Sequence, residues 1–432
     1  ALMSYVASVN YSYGDKYYAS FSFRRDGSSR LSPDTRWGNF WSLSASWRLS
    51  QEKFMQSLKS VLSDLKLRAS YGVNGNLPSS YYGYQSTYTT GAFYNGKPSP
   101  WESTLGNEEL TWEKNYALNL GLDIGLFSRV NVSLDWYTRT TKDLLMSKQL
   151  NSISGFSSLL TNVGQMRNTG VELEVRSNNI KTKDFSWTTA FNLSHNKNKI
   201  LKLADLPWFV DGRYVRKEGY PFNTIYLREY AGVDPETGSA LYYDNQQDEN
   251  GNYTKNKVTD PGQASPIPLK DITPTISGGF MNTFNYKFID LSFNLSYSFG
   301  GYSYDNASYI LQDDGYSVIS NKSTEQRRRW QKPGDITDVP RFVYGNKKGG
   351  NYNSSRAIHS TDHIRLKSLI LGLNAPKAWL QKLGIGNARI YFSGTNLLTW
   401  AAYGQYDPEM SGVVGFYTPP LKTYAFGLEL KF

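Results

Sequence analysis

The side chains able to do covalent or metal chemistry are few, and their spacing argues against catalysis. The chain of 432 residues contains no Cys and only three His, which removes thiolate nucleophiles, disulfide scaffolds and cysteine metal sites together. His359 and His363 stand four apart, a spacing that aims two imidazoles at one metal on a helix; the residues between them read instead as a loop entering a strand. Glu172 and Glu174 share one face of a strand, about 7 Å apart by strand rise. Beside Arg176 they read as a hydrated pair rather than as an acid and a base. There is no G-x-S-x-G elbow and no phosphate-binding glycine loop. The run from Asp244 to Asn252 is acidic and contains Gly251, and calcium needs several oxygens converging on one point. Gln246 and Gln247 stand where further carboxylates would help, so calcium stays an open reading and no catalytic, metal or cofactor site is expected.

Recognition chemistry is better supplied. Of the residues, 15% are aromatic, with 33 Tyr, 21 Phe and 11 Trp. Many fall in long polar connections: Tyr81, Tyr82, Tyr84, Tyr94 and Trp101; Trp208, Tyr214, Tyr226 and Tyr230; Trp330, Tyr344 and Tyr352; Tyr406, Phe416 and Tyr417. Such rings stack on sugars, and Tyr hydroxyls with nearby Asn, Asp and Arg hydrogen-bond to hydroxyl or peptide groups. The candidate ligand-binding residues are therefore Tyr81, Tyr82, Tyr94, Trp101, Trp208, Tyr226, Tyr230, Trp330, Tyr344, Tyr352 and Tyr417; the plainer alternative is that these loops pack on themselves or on a partner subunit. The net charge of +10 invites a nucleic-acid reading. The only compact basic run, however, is Arg327, Arg328 and Arg329, with the other cations scattered among acids, so no nucleic-acid partner is expected.

The elements that carry these residues read as strands throughout. Tyr116, Leu118, Leu120, Leu122 and Ile124 alternate with polar or small residues, as do Leu291, Phe293, Leu295, Tyr297 and Phe299, and again Tyr424, Phe426, Leu428, Leu430 and Phe432. A period of two held for about ten residues predicts a strand with one apolar face, and about ten to twelve residues is the length a tilted strand needs to cross a bilayer. Alternation also fits a half-buried sheet of a soluble sandwich; the segment length, the aromatics near the segment ends and the full charges beside Ser and Thr on the polar face together favour a membrane barrel. Strands are expected at 2–13, 17–26, 38–49, 64–74, 113–125, 129–141, 164–177, 185–197, 274–286, 288–300, 363–375, 387–399 and 421–432. Trp41, Trp47, Trp136, Trp187 and Phe432 would form girdles at the membrane interfaces.

Connections alternate between short or modest ones and the long loops 27–37, 75–112, 142–163, 198–273, 301–362 and 400–420. The longest of the first set, 50–63, carries Phe54, Leu58, Val61 and Leu62 in a pattern that predicts a short amphipathic helix. Short turns are periplasmic and long loops extracellular in outer-membrane barrels, so every strand receives a direction. The fold class expected is all-β, a transmembrane antiparallel barrel with a multi-pass outer-membrane location. An odd number of strands ending on the periplasmic side places Ala1 outside, whereas bacterial single-chain barrels have even counts. Further strands and any signal peptide are accordingly expected before Ala1.

Several segments resemble the SusC/RagA family of TonB-dependent (TonB-linked) outer-membrane transporters. Asp362 to Gly372 (DHIRLKSLILG) resembles that family's "YLRLKNLTLGY" strand, Tyr406-Asp407-Pro408-Glu409 its "YDPE" element, and Tyr424 to Phe432 its terminal strand. Trp379 to Ile385, Ala388 to Leu397, Arg36-Trp37-Gly38, Asn168 to Glu172 and Asn192 to Ile200 resemble further segments in the same order. The resemblance implies that residues 1–432 are the C-terminal portion of a barrel of about 22 strands with its lumen plugged, the plug and TonB-binding segment lying outside this chain. It also implies active import of oligosaccharides or peptides, a SusD-like surface lipoprotein, the TonB complex as energy source, contact with outer-membrane lipid and lipopolysaccharide, and no enzymatic activity. On the residues alone a passive porin and a barrel-anchored surface binding or adhesion protein remain alternatives.

Overall fold

The computed structural model describes residues 1–203, 206–346, 353–380 and 384–432. Thirteen long strands follow one another in sequence order in a single sheet: β1 Leu2–Tyr13, β2 Tyr17–Ser28, β3 Trp37–Arg48, β4 Leu62–Asn76, β5 Glu113–Leu126, β6 Val130–Lys142, β7 Gln165–Lys181, β8 Phe185–Lys202, β9 Ile276–Tyr286, β10 Ile289–Phe299, β11 His363–Asn374, β12 Asn387–Ala401 and β13 Thr423–Lys431. Each expected strand is present. The largest departures are at β7 and β8, which continue to Lys181 and Lys202 as one long hairpin arm.

The short turns explain themselves locally. Gly14 and Asp15 take positive φ, as do Phe127 and Ser128, the left-handed geometry that matches a tight turn to the twist of its strands. Segment 50–63 forms 3-10 turns, Leu49–Gln51 and Lys53–Leu58, rather than an α-helix. Among the described residues no helix is long and apolar enough to cross a membrane.

The chain divides into two compact units, residues 1–208, 217–222 and 280–287 in one and 209–216, 223–279 and 288–432 in the other. In the first, the register turns alternation into continuous rows. Ala45 faces Ala69, Ala69 faces Leu120, Leu120 faces Trp136 and Trp136 faces Val171. One residue along, Ser46 faces Arg68, Arg68 faces Gly121, Gly121 faces Asp135 and Asp135 faces Glu172. Large apolar side chains on the first face stay open, Leu43 at 53% and Leu120 at 46%; so extended an apolar surface belongs in lipid. The loop ends of this unit have their own core, where Leu31, Phe40, Leu110 and Trp112 are buried together and the Trp112 indole donates to the Arg36 carbonyl at 2.9 Å.

The second unit folds its loops into small sheets. One holds Trp208–Asp211, Tyr214–Lys217, Thr224–Leu227 and Ile267–Asp271; another holds Tyr230–Val233, Ala240–Tyr243 and Lys257–Val258; a third pairs Ile358–Ser360, Tyr302–Asp305 and Gly412–Val414. Ile225, Leu227, Tyr304 and Ala357 form a buried core among them. The last sheet includes a parallel pairing, Ser303 with Gly412, which ties loop 400–420 to loop 301–362.

Candidate functional site

The wet face of the first unit is a charge-paired wall. Arg68 on β4 donates to Asp123 at 2.8 and 3.0 Å, to Asp135 at 2.9 Å and to Ser133 at 3.1 Å, spanning β5 and β6. Gly121 lies under this guanidinium, where a Cβ would approach within 2.5 Å of it. Further along the sheet Arg48 joins Asp64 at 2.9 Å. Glu174 and Arg176 pair with each other, as expected of a hydrated surface. A recess of about 440 Å³ opens here, lined by Asn10, Ser20, Ser44, Ser70, Arg68 and Asn119, hydroxyl and amide groups suited to a hydrated, hydrogen-bonding solute.

The second unit holds a larger cleft of about 660 Å³ between loops 301–362 and 400–420 and strands β11 and β12, with Arg365, Thr399, Tyr406, Asp407, Phe416 and Tyr417 on its walls. Its geometry starts from a bulge. The pairing of β11 shifts register between Leu366 and Ser368 on the β12 side, and a bulge re-aims side chains. Arg365 and Lys367 both reach loop 400–420 here. Arg365, 3% exposed, donates to Asp407 at 2.7 Å, to Glu409 at 2.8 Å and to Thr399 at 3.0 Å; Lys367 adds a contact to Glu409 at 2.6 Å. This forked clamp fixes the loop on the wall of the strands.

Behind the clamp, Asp305 accepts hydrogen bonds from the Ser308 amide at 2.9 Å and the Tyr403 hydroxyl at 3.1 Å. Tyr406 meets Ser303. Burial pushes the Tyr403 and Tyr406 hydroxyls up, so both remain protonated donors at neutral pH. His359 lies flat on Tyr403, ring centroids 3.7 Å apart, and burial pulls its imidazole down. His363 turns away, its Nδ1 at 2.8 Å from the Thr361 carbonyl. The two histidines are thus engaged in separate contacts, and among the described residues no group of three or more metal-ligating side chains exists.

The expected recognition residues divide. Tyr81, Tyr82, Tyr94 and Trp101 of the first unit are exposed, with Arg30 over the Tyr81 ring at 4.2 Å. Trp208 and Tyr344 are exposed, and Tyr417 is exposed at the cleft edge beside Phe416. Tyr214 and Tyr226 are half-buried in the loop sheets. Tyr230 and Trp330 are built into loop packing: Tyr230 lies against Tyr242 and donates to the Asp338 carbonyl at 2.9 Å, and Trp330 covers Gly238 and donates to the Pro235 carbonyl at 2.8 Å. Tyr352 lies outside the described residues. Trp41, Trp47 and Trp136 stand on the apolar face; Trp187 stacks on Phe284 and donates to Asn282 at 2.8 Å; Phe432 follows β13 and is 87% exposed. In the acidic loop, Asp244 accepts from Thr254 and Asn256 and Asp248 from the Asn250 and Asn252 amides, so both carboxylates close their own hairpin. Reasoning from sequence missed the clamp, although the signal was printed twice: Arg-Leu-Lys in the β11 segment and Asp-Pro-Glu in loop 400–420.

Bilayer-length strands with one apolar and one charge-paired face, joined alternately by tight turns and folded loops, define an outer-membrane β-barrel protein. A TonB dependent receptor-like β-barrel model matches residues 3–264, and the chain belongs to that family, one of outer-membrane receptors rather than enzymes. It is 33% identical to TonB-dependent receptor P3 of Formosa agariphila, over 100% of this chain and 45% of that protein. To TonB-dependent receptor SusC of Bacteroides thetaiotaomicron it is 31% identical, over 100% of this chain and 44% of that protein. Among solved structures, the RagAB peptide transporter superposes with a TM-score of 0.89 at 31% identity, over 100% of this chain and 48% of the other. The chain spans about half the length of the relatives it matches.

Proposed function

We propose that the protein carrying this chain imports oligosaccharides or peptides across the outer membrane by a TonB-dependent route, together with a SusD-like surface lipoprotein. The observation that carries the reading is the conjunction of a hydrated, charge-paired inner face with loops folded and clamped at one end, in a chain alike over its whole length to SusC and to a peptide transporter. Loops held in place can present rings and hydroxyls to a ligand without first paying the entropy of ordering themselves. Exposed Tyr81, Tyr82, Trp208, Tyr344 and Tyr417 are the assigned ligand-contact residues, while Tyr94 and Trp101 stand on a projecting hairpin suited to the lipoprotein, and the reading needs no cofactor.

The test uses the full-length protein with its lipoprotein, purified from the native outer membrane. Mass spectrometry of co-purified small molecules should return oligosaccharides or peptides. Uptake of that class should then fall to background when the gene is deleted or the proton gradient that drives TonB is collapsed. Ungated flux of small solutes through the intact protein in liposomes would replace this reading with a passive pore.

A further inference from the structure

The apolar face of the first unit is not uniformly filled. Ala45 and Ala69, paired across β3 and β4, leave a groove of about 710 Å³ walled by Trp47, Leu67, Leu122 and Trp136. Methyl groups form its floor where the neighbouring rows carry leucines and rings, so lipid cannot be excluded from it by protein. The mouth of the groove lies at the tight-turn end of the strands, which is periplasmic in outer-membrane barrels.

The structure at that mouth is specific. Trp47 stacks on Tyr17 with ring centroids 6.2 Å apart. Both polar tips converge on Glu52, the Tyr17 hydroxyl at 2.6 Å and the Trp47 indole N–H at 3.2 Å, with Lys16 joining at 2.8 Å. Glu52 immediately precedes the 3-10 turn Lys53–Leu58. That turn exposes Phe54 (65%) and Leu58 (50%), and its far side is held by the Phe127 amide donating to the Val61 carbonyl at 2.7 Å. Lys53 and Lys59 are exposed beside these apolar side chains. Apolar side chains that enter the acyl boundary beside lysines that remain at phosphate depth are the pattern of an interfacial lipid contact.

We propose that the groove and this rim hold one glycerophospholipid of the periplasmic leaflet, an acyl chain lying over Ala45 and Ala69 and the headgroup phosphate against Lys53 and Lys59. The occupant follows from continuity: the groove is a recess in a surface already in contact with lipid, and its mouth faces the leaflet made of phospholipid. Lys53, which follows the Glu52 that Tyr17 and Trp47 contact, and Lys59, which follows the same turn, are exposed and complement a phosphate, and the floor complements a methylene chain.

Full-length protein is reconstituted in vesicles of phosphatidylethanolamine and phosphatidylglycerol containing phosphatidylglycerol with a photoreactive diazirine at mid-chain. Irradiation and peptide mapping should concentrate label on Ala45, Leu67, Ala69 and Leu122 rather than on Leu371 and Leu373 of β11. Filling the floor with Ala45→Leu and Ala69→Leu should lower that label by about four-fold or more, the factor one buried methylene carries. Lys53→Gln and Lys59→Gln, outside the strands and harmless to barrel insertion, should each lower it about five-fold. Heat-modifiable electrophoretic migration reports that each variant is folded, and if the alanine variants fail to insert, the lysine pair carries the test. Even labelling over both regions, label unmoved by the lysine substitutions, or chain-to-chain cross-links in place of lipid adducts would overturn the proposal.

Discussion

Arg365 sets what the cleft can do, because its guanidinium holds two carboxylates of a loop forty-odd residues away in sequence while almost wholly removed from solvent. Asp407 is itself nearly buried, its side chain 6% exposed, and removing one partner of such a pair leaves an uncompensated charge, costing about 3–5 kcal/mol. Arg365→Met is expected to release loop 400–420 rather than unfold the sheet. Amide exchange over residues 403–414 should rise by on the order of a hundred-fold or more, with the barrel still heat-modifiable. Glu409→Gln should cost less, about 1 kcal/mol or below, because Glu409 is 30% exposed and its ion pairs are partly in water. His359 supplies the pH dependence. Burial lowers its pKa below the ordinary 6.5, with Asp305 opposing in part, so the unfolded loop binds the proton more readily than the folded one. Stability from this group is present above about pH 6.5 and is lost as pH falls below it. Protection factors at residues 358–360, taken relative to the intrinsic exchange rate at each pH, should fall as pH drops from 7 to 5, and His359→Phe, which keeps the stack on Tyr403, should flatten that change.

At the scale of strands, glycines under aromatic rings are the fine structure of the inner face. Gly170 on β7 faces Tyr137 on β6, and the ring crosses it to donate to Asn196 on β8 at 3.1 Å. A Cβ at Gly170 would meet the His195 carbonyl at 2.4 Å and the Tyr137 ring at 2.5 Å. Gly427 stands in the same relation to Tyr391. Gly170→Val should therefore cost about 1–3 kcal/mol through overpacking, read as a lower urea midpoint in bilayers; Tyr137→Ala in the same chain should recover only part, since the carbonyl contact is with backbone. The strands were legible because a period of two held over ten residues assigns every side chain to one face or the other. The loop sheets were not, because their strands of two to five residues carry no readable period. A partner can also be far off in sequence, Ser303 and Gly412 lying more than a hundred residues apart, beside the buried core around Tyr304. The clamp failed to show for the same reason: both motifs could be read, but nothing in their spacing says that a bulge at Lys367 turns one toward the other.

For the whole molecule, each large apolar surface needs an environment, and lipid accounts for only one of them. The outer face of the strands lies in the bilayer. At the loop end, however, the hairpin formed by Thr87–Thr89 with Trp101–Thr104 and by Phe93–Tyr94 with Lys97–Pro98 holds Phe93 at 70%, Tyr94 at 79% and Trp101 at 53% exposure. Its tip turns through Asn95 and Gly96 at positive φ, and a two-stranded hairpin is marginal in water unless something packs against it. Aromatic side chains concentrated on a projecting element are what protein interfaces use as anchors, and under the import reading the surface that meets this end of the molecule is the lipoprotein. Replacing Phe93, Tyr94 and Trp101 together by Ser should weaken co-purification of the lipoprotein by about thirty-fold or more, the loss of a single hot-spot residue already reaching that size. Barrel insertion should be unchanged, since none of the three lies in a long strand. In the intact complex the amides of 87–104 should exchange more slowly than in the separated barrel protein. A hairpin equally accessible with and without the lipoprotein, and a triple variant that still holds it, would assign these rings to ligand instead.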